Sequence, residues 1–134
     1  AFNNHFLEFM EDILILFPKE LDLLTGHTFF KKVIKYKSRA LIEYWYSYIY
    51  IKYAKEIENG NFDFFVKKDY KEDIGIEYSS NKVLNKIEKM RSKVSTVSNT
   101  NKEKIVCYVR NLSKLSYIYY NEQFKYLVFF NLNI

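Results

Sequence analysis

Apolar residues recur along most of the chain at the spacing of one helix face. Residues 2–17 place large side chains three and four positions apart, which predicts an amphipathic helix. Pro18 predicts its end, because proline disfavours helical angles in the preceding residue. Asn3 or Asn4 is the expected cap at its start.

The longest periodic stretch, residues 39–58, predicts a central helix capped by Ser38. Its expected buried face carries Ile42, Trp45, Tyr46, Ile49, Tyr53 and Ile57. The alternative is a strand over residues 41–53, because tyrosine occupies every second position from 44 to 50 and aromatic residues favour strands. The helix is favoured, since the run is too long for one ordinary strand.

Shorter elements are predicted on both sides of this helix. Residues 21–26 suggest a single turn closed by Gly26, and a separate helix is expected from Thr28. Gly60 should end the central helix, with Asn61 capping a short apolar turn after it. The charged residues 67–78 are interpreted as a loop.

Two further helices are predicted in the second half of the chain. Ser79 or Ser80 is the expected cap of the first, and residues 98–101 the break after it. Thr100 and Glu103 have the spacing of a capping box that starts the second. With one proline and three glycines, the chain is predicted to be all-α, a compact bundle of about six helices around the central aromatic helix.

Domain organisation follows from length and from the apolar end of the sequence. The 134 residues fit one domain, predicted over residues 1–120. Residues 121–134 are too apolar for a free end and should dock on the body or bind a partner. The sequence has no apolar run long enough to span a membrane, and its one cysteine fits a reducing, intracellular compartment.

Composition reduces the weight of the aromatic and basic excess. Phe, Tyr, Asn, Lys and Ile make up 68 of the 134 residues, and all five are encoded mainly by A/T-rich codons. Lysine outnumbers arginine 18 to 3, which points the same way. The net charge of +5 therefore indicates nucleic-acid binding less strongly than its size suggests.

Few residues suggest enzymatic chemistry. His5 and His27 are far apart in sequence, neither a zinc motif nor a glycine-rich phosphate loop is present, and Cys107 lies in a predicted helix. We therefore expect no catalytic residues, no metal, no cofactor and no small-molecule substrate.

Two functional hypotheses remain. The first is a non-enzymatic interaction or assembly protein that binds other proteins or itself. Its expected interface consists of Tyr117, Tyr120, Phe124, Phe129 and Phe130. The alternative is a nucleic-acid-binding protein with little sequence preference. Its expected phosphate contacts are Lys31, Lys32, Lys35, Lys82, Lys86, Lys89 and Lys93.

Two segments, FLEFMEDILILFP at residues 6–18 and ALIEYWYSYIYIKYAKEIENGNFDFFVKKDY at residues 40–70, carry a family resemblance. Together with the chain up to about residue 120, they resemble small helical proteins that large nucleocytoplasmic DNA viruses encode in several copies. That family has no assigned activity and therefore supplies no catalytic residues. The resemblance implies a viral source with an A/T-rich genome, and it agrees with a helical domain. With a viral source, the first functional hypothesis becomes a minor component of a large virus particle, located in the host cytoplasm or in the particle.

Overall fold

The computed structural model describes residues 1–68 and 81–132 of the chain. Within the last two helices, the side chains at positions 81–84, 86, 87, 124 and 126–132 lie outside this description. All regular structure in the described residues is helical, so the predicted all-α bundle is confirmed. The strand alternative for residues 41–53 is wrong.

The described helices follow one another along the chain in this order. The first part contains α1 (Phe2–Leu16), α2 (Leu21–Tyr36), α3 (Ala40–Trp45), a π-helical turn (Tyr46–Tyr50) and α4 (Ile51–Glu58). The second part contains α5 (Phe62–Lys67), α6 (Asn81–Val94) and α7 (Asn99–Leu132). Because α3, the π-helical turn and α4 run without interruption, we call them together the central helix.

The end of α1 follows the prediction, but its start does not. The helix stops at Leu16, and Phe17 before Pro18 leaves helical angles with φ −132°. Ala1 occupies the N-cap position, so the cap predicted at Asn3 or Asn4 is wrong. The Asn3 side chain instead donates to the backbone carbonyl of Ser38 at 2.8 Å, which ties α1 to the start of the central helix.

Two predicted boundaries around α2 are also wrong. The helix runs through Gly26, where a methyl group would lie 3.5 Å from Met10 Cε of α1. Glycine costs a helix interior only about 1 kcal/mol relative to alanine, which packing against α1 can offset. The central helix begins at Ala40 after Arg39 without a side-chain cap, so Ser38 does not cap it.

The π-helical turn brings the buried side chains of the central helix onto one stripe. In an ideal α-helix, Tyr53 and Ile57 would be rotated by about 80° and 120° from Trp45. The π-helical turn takes up one extra residue, and all three side chains are buried. A kink at Tyr53, with φ −124° and ψ 23°, adds to this adjustment. The tyrosines that alternate in the sequence are thereby divided between two helix faces.

The core lies where α1, the central helix and α7 meet. Phe2, Ile42, Trp45 and Leu112 form its buried cluster, and Leu112 has no exposed surface. The rings of Phe2 and Trp45 pack edge to face with centroids 6.0 Å apart. The helix α2 packs on α1 and on α3, and none of its residues is buried.

The long helix α7 begins earlier than the capping box predicted. Ser98 Oγ accepts a hydrogen bond from the Asn101 backbone N–H at 3.2 Å, and the helix starts at Asn99. The cap predicted at Thr100 is therefore wrong. The backbone of residues 121–132 continues the same helix. No helix of the described part combines the length and apolar character needed to cross a membrane.

The connection between the central helix and α5 follows the prediction. Gly60 has φ +65°, and Asn61 Oδ1 accepts from the Phe64 backbone N–H at 3.1 Å. The predicted loop at 67–78 and the caps at Ser79 and Ser80 lie outside the described residues, except for Lys67 and Lys68.

Candidate protein interface

A cleft of about 640 Å³ runs between the second half of the central helix and the middle of α7. We call it the tyrosine groove. The central helix lines it with Tyr50, Ile57 and Glu58, and α7 lines it with Arg110, Ser113, Lys114, Tyr117 and Ile118. The lining combines apolar side chains with one acidic and two basic groups, a composition typical of surfaces that bind protein segments.

Buried hydrogen bonds fix the floor of the tyrosine groove. Trp45 Nε1–H donates to Ser113 Oγ at 3.0 Å, which joins the central helix to α7. Ser116 Oγ donates to the Ser113 carbonyl at 2.8 Å, and both serines are buried. Because these serines are small and their hydroxyls are satisfied, the two helix backbones can approach closely without unpaired polar groups.

One end of the tyrosine groove is closed by an arginine that caps the central helix. Arg110 donates from Nε to the Ile57 carbonyl at 3.2 Å and from Nη2 to the Glu58 carbonyl at 2.7 Å. Both carbonyls belong to the last turn of the helix, where the Gly60 N–H also donates to the Ile57 carbonyl at 3.1 Å, and a cation stabilises the negative end of the helix dipole. Gly60 makes room for the guanidinium, since a methyl group there would lie 2.8 Å from Nη2.

Tyr50 and Tyr117 line the opposite end of the tyrosine groove, and a stacked tyrosine pair lies beside them. Tyr46 stacks on Tyr120 with ring centroids 4.0 Å apart and planes 9° apart. Tyr50 lies 5.8 Å from Tyr46 and 5.9 Å from Tyr117, again between centroids. Burial raises the pKa of Tyr50, and the Glu58 carboxylate adds to the effect. The Tyr50 phenol therefore stays protonated and can donate a hydrogen bond.

Large side chains remain exposed beside the tyrosine groove and on the outer face of the central helix. Tyr117 is 48% exposed and Ile118 is 54% exposed. On the outer face, Tyr44 and Tyr48 are 59% and 63% exposed, with ring centroids 4.8 Å apart. Both surfaces thus present aromatic rings held by neighbouring rings.

The predicted interface residues are placed at different depths. Tyr117 lines the tyrosine groove, whereas Tyr120 is half-buried against Tyr46. The backbones of Phe124, Phe129 and Phe130 belong to α7, but their side chains lie outside the description. Sequence reasoning identified neither Arg110 nor Ser113, because a helix cap and a serine floor depend on contacts between distant segments.

The predicted phosphate-binding lysines are also separated. Lys31, Lys32 and Lys35 are exposed on α2. Lys89 and Lys93 of α6 both contact the carboxylate of Glu20, whose side chain is 8% exposed; the Lys89 Nζ lies 3.5 Å from it. The side chains of Lys82 and Lys86 lie outside the description. At least two lysines of the α6 group therefore have an internal counterion that the sequence pattern does not reveal.

The histidines and acidic residues of α1 form separate pairs. His5 lies 3.6 Å from Glu8, and His27 of α2 lies 3.3 Å from Glu11. In the described part of the chain, histidine, cysteine and carboxylate side chains do not gather into a group of three or more suited to a metal ion.

A short hydrogen bond joins α1 to α7. Tyr108 Oη donates to Asp12 Oδ2 at 2.5 Å, and the Tyr108 ring stacks on Phe9 with centroids 4.9 Å apart. This hydrogen bond, aided by burial and nearby carboxylates, raises the pKa of Tyr108 to about 12. The pair fixes the two helices and leaves the phenol protonated.

Comparison with known protein families, with curated proteins and with solved structures found no match to this chain. The resemblance to proteins of large DNA viruses consequently stays a prediction.

Proposed function

We propose that this chain is a non-enzymatic interaction protein that assembles with other proteins, or with copies of itself, through the tyrosine groove and the adjoining face of α7. The observation that carries the proposal is the exposure of Tyr117 and Ile118 beside a floor fixed by the Trp45–Ser113 hydrogen bond. Tyrosine is enriched at interfaces, and a surface that is already ordered loses little conformational entropy on binding.

The resemblance to viral proteins suggests in which assembly this chain acts. We propose a minor component of a large virus particle, present in the host cytoplasm or the virion. The free, exposed thiol of Cys107 is compatible with these reducing surroundings.

The test compares two variants with matched losses of exposed apolar surface. Tyr117→Ser combined with Ile118→Ser removes the exposed wall of the tyrosine groove. Tyr36→Ser removes a 76% exposed tyrosine on α2, far along the chain from the groove. Sedimentation velocity should show concentration-dependent association of the wild type and of Tyr36→Ser, and loss of it in the double variant.

Partners other than a second copy are tested with the same variants. A partner of the proposed site is retained by Tyr36→Ser and lost from the double variant in a pull-down. Equal retention by both variants, or equal loss, contradicts the proposal. Truncation after Tyr120 separately tests residues 121–134, and unchanged association would remove them from the interface.

The exposed lysines of α2 support a second candidate function, binding of nucleic acid through its backbone. Lys31, Lys32 and Lys35 share one short segment with Lys37 and Arg39, and all five are exposed. Fluorescence anisotropy with labelled DNA and RNA at low and high salt tests it. Binding that weakens with salt and disappears on charge reversal at Lys31, Lys32 and Lys35 would favour it over the interaction role.

A further inference from the structure

A second cavity, which shares Ile57 with the tyrosine groove, lies where the central helix, α5, α6 and α7 meet. Its volume is about 540 Å³. We call it the apolar chamber. The central helix contributes Ile49 and Tyr53 to its wall, α5 contributes Phe65, α6 contributes Met90, and α7 contributes Val109. A space of this size falls within the range of small-molecule sites.

The wall of the apolar chamber is held in place by contacts among its own residues. The Tyr53 ring meets the Phe65 ring edge to face, with centroids 5.8 Å apart. The orientation of α5 is set by the positive φ of Gly60 and by the cap that Asn61 supplies. None of the six residues of α5 is buried, although they include three phenylalanines. An apolar occupant would complete the burial that this helix lacks.

The polar groups of the wall determine the class of occupant. The Asn61 side chain is engaged by the Phe64 backbone N–H, and the Arg91 guanidinium pairs with Glu88 at 3.2 Å. Arg91 Nη2 also donates to the Lys68 carbonyl. Glu56 adds one carboxylate to the wall and Arg91 adds one guanidinium, so the two opposite charges favour neither an anionic nor a cationic ligand. We propose that the apolar chamber binds an uncharged apolar small molecule, such as a long-chain alcohol or an aromatic hydrocarbon.

The only tryptophan of the chain, Trp45, also lines the apolar chamber and provides an internal probe. The neutral dye N-phenyl-1-naphthylamine absorbs where tryptophan emits. Titration of the full chain with this dye should quench Trp45 emission and increase dye emission. Absence of both changes would overturn the proposal.

Two variants that fill the chamber from different helices test the location of binding. Val94→Phe on α6 and Val109→Phe on α7 should each weaken dye binding by about tenfold or more, with helical circular dichroism unchanged. Ile15→Phe, at a 75% exposed position on α1, is the matched control and should bind as the wild type does. Equal affinity in the wild type and in both filling variants would contradict the proposed site.

Competition tests the charge of the ligand. Dodecanol should displace the dye at lower concentration than laurate, because the two chains have equal length and only laurate carries a charge. A preference for laurate would overturn the assignment to uncharged molecules. This binding does not depend on the tyrosine groove, so Tyr117→Ser with Ile118→Ser should leave it unchanged.

Discussion

The two ends of the bundle are packed differently, although the same two long helices pass through both. At one end, Phe2, Trp45 and Leu112 exclude solvent around a continuous cluster. At the other end, Tyr53 and Ile57 are buried, but α5 and α6 surround the apolar chamber. The difference indicates that stability is concentrated where α1, the central helix and α7 meet. The other end contributes less, because its apolar side chains line the apolar chamber instead of forming one continuous cluster.

The largest expected difference between the two ends is the loss of unfolding free energy when one side chain is truncated at each. Leu112→Ala creates a cavity at a fully buried position and should lower the free energy of unfolding by about 3 kcal/mol or more. Val94→Ala merely enlarges the apolar chamber and should cost about 1 kcal/mol or less. Urea denaturation of both variants measures the contrast, and equal losses would break it.

The ion pairs of Glu20 connect the two ends, because Glu20 precedes α2 and its partners lie on α6. Replacing Lys89 and Lys93 together by methionine leaves a buried carboxylate without its counterions. We expect a loss of about 2 kcal/mol in unfolding free energy, since the lysines are partly exposed. Glu20→Gln added to the double variant should restore part of the stability. Failure of this rescue would show that the loss has another origin.

Gly26 and Gly60 provide a pair of glycine substitutions with opposite expected signs. Gly60→Ala forces a left-handed conformation on alanine and places its methyl group against Arg110, at a cost of about 1–2 kcal/mol. Gly26→Ala lies inside α2, where the added methyl group would make an ordinary van der Waals contact with Met10. It should stabilise the protein by about 0.5–1 kcal/mol. Thermal unfolding measures both, and the same sign for both would contradict the described backbone angles.

The effect restricted to the narrowest range of conditions is the pH dependence of the hydrogen bond between Tyr108 and Asp12. Its pKa is raised from 10.0 to about 12, so the folded chain keeps this proton while the unfolded chain loses it. The contribution is complete below pH 10 and disappears as the pH rises through 12. An ultraviolet titration should show a phenol with a pKa of about 12 that Tyr108→Phe removes, whereas the raised pKa of Tyr50 should persist in this variant. A full set of early titrating tyrosines would contradict the hydrogen bond to Asp12.

The helical class and most helix positions could be predicted because they depend on local periodicity. Ile42 and Trp45 have helical spacing, Pro18 restricts the backbone of the residue before it, and Gly60 adopts the positive φ that ends the central helix. Caps were predicted less well. Asn3 is engaged by Ser38 of a distant segment, and Ser98 rather than Thr100 starts α7.

The candidate site could be predicted only in part. The exposure of Tyr117 agrees with the expectation from the excess of aromatic residues, whereas the stacking of Tyr120 on Tyr46 depends on two helices meeting. In the same way, Lys89 and Lys93 look like a free basic stripe until the buried carboxylate of Glu20 is placed beside them. Tertiary partners of polar groups leave little trace in one sequence.

The π-helical turn at Tyr46–Tyr50 also determines how far α4 is rotated about the helix axis relative to α3. Each residue of an α-helix turns the chain by about 100°, so one residue more or fewer in this turn would rotate α4 by that angle relative to α3. Tyr53 and Ile57 would then swing away from α7 while Ile42 and Trp45 stayed in place. The length of five residues therefore sets the rotation of α4 relative to α3. It keeps the side chains that line the apolar chamber and those of the packed core on the same face of the central helix.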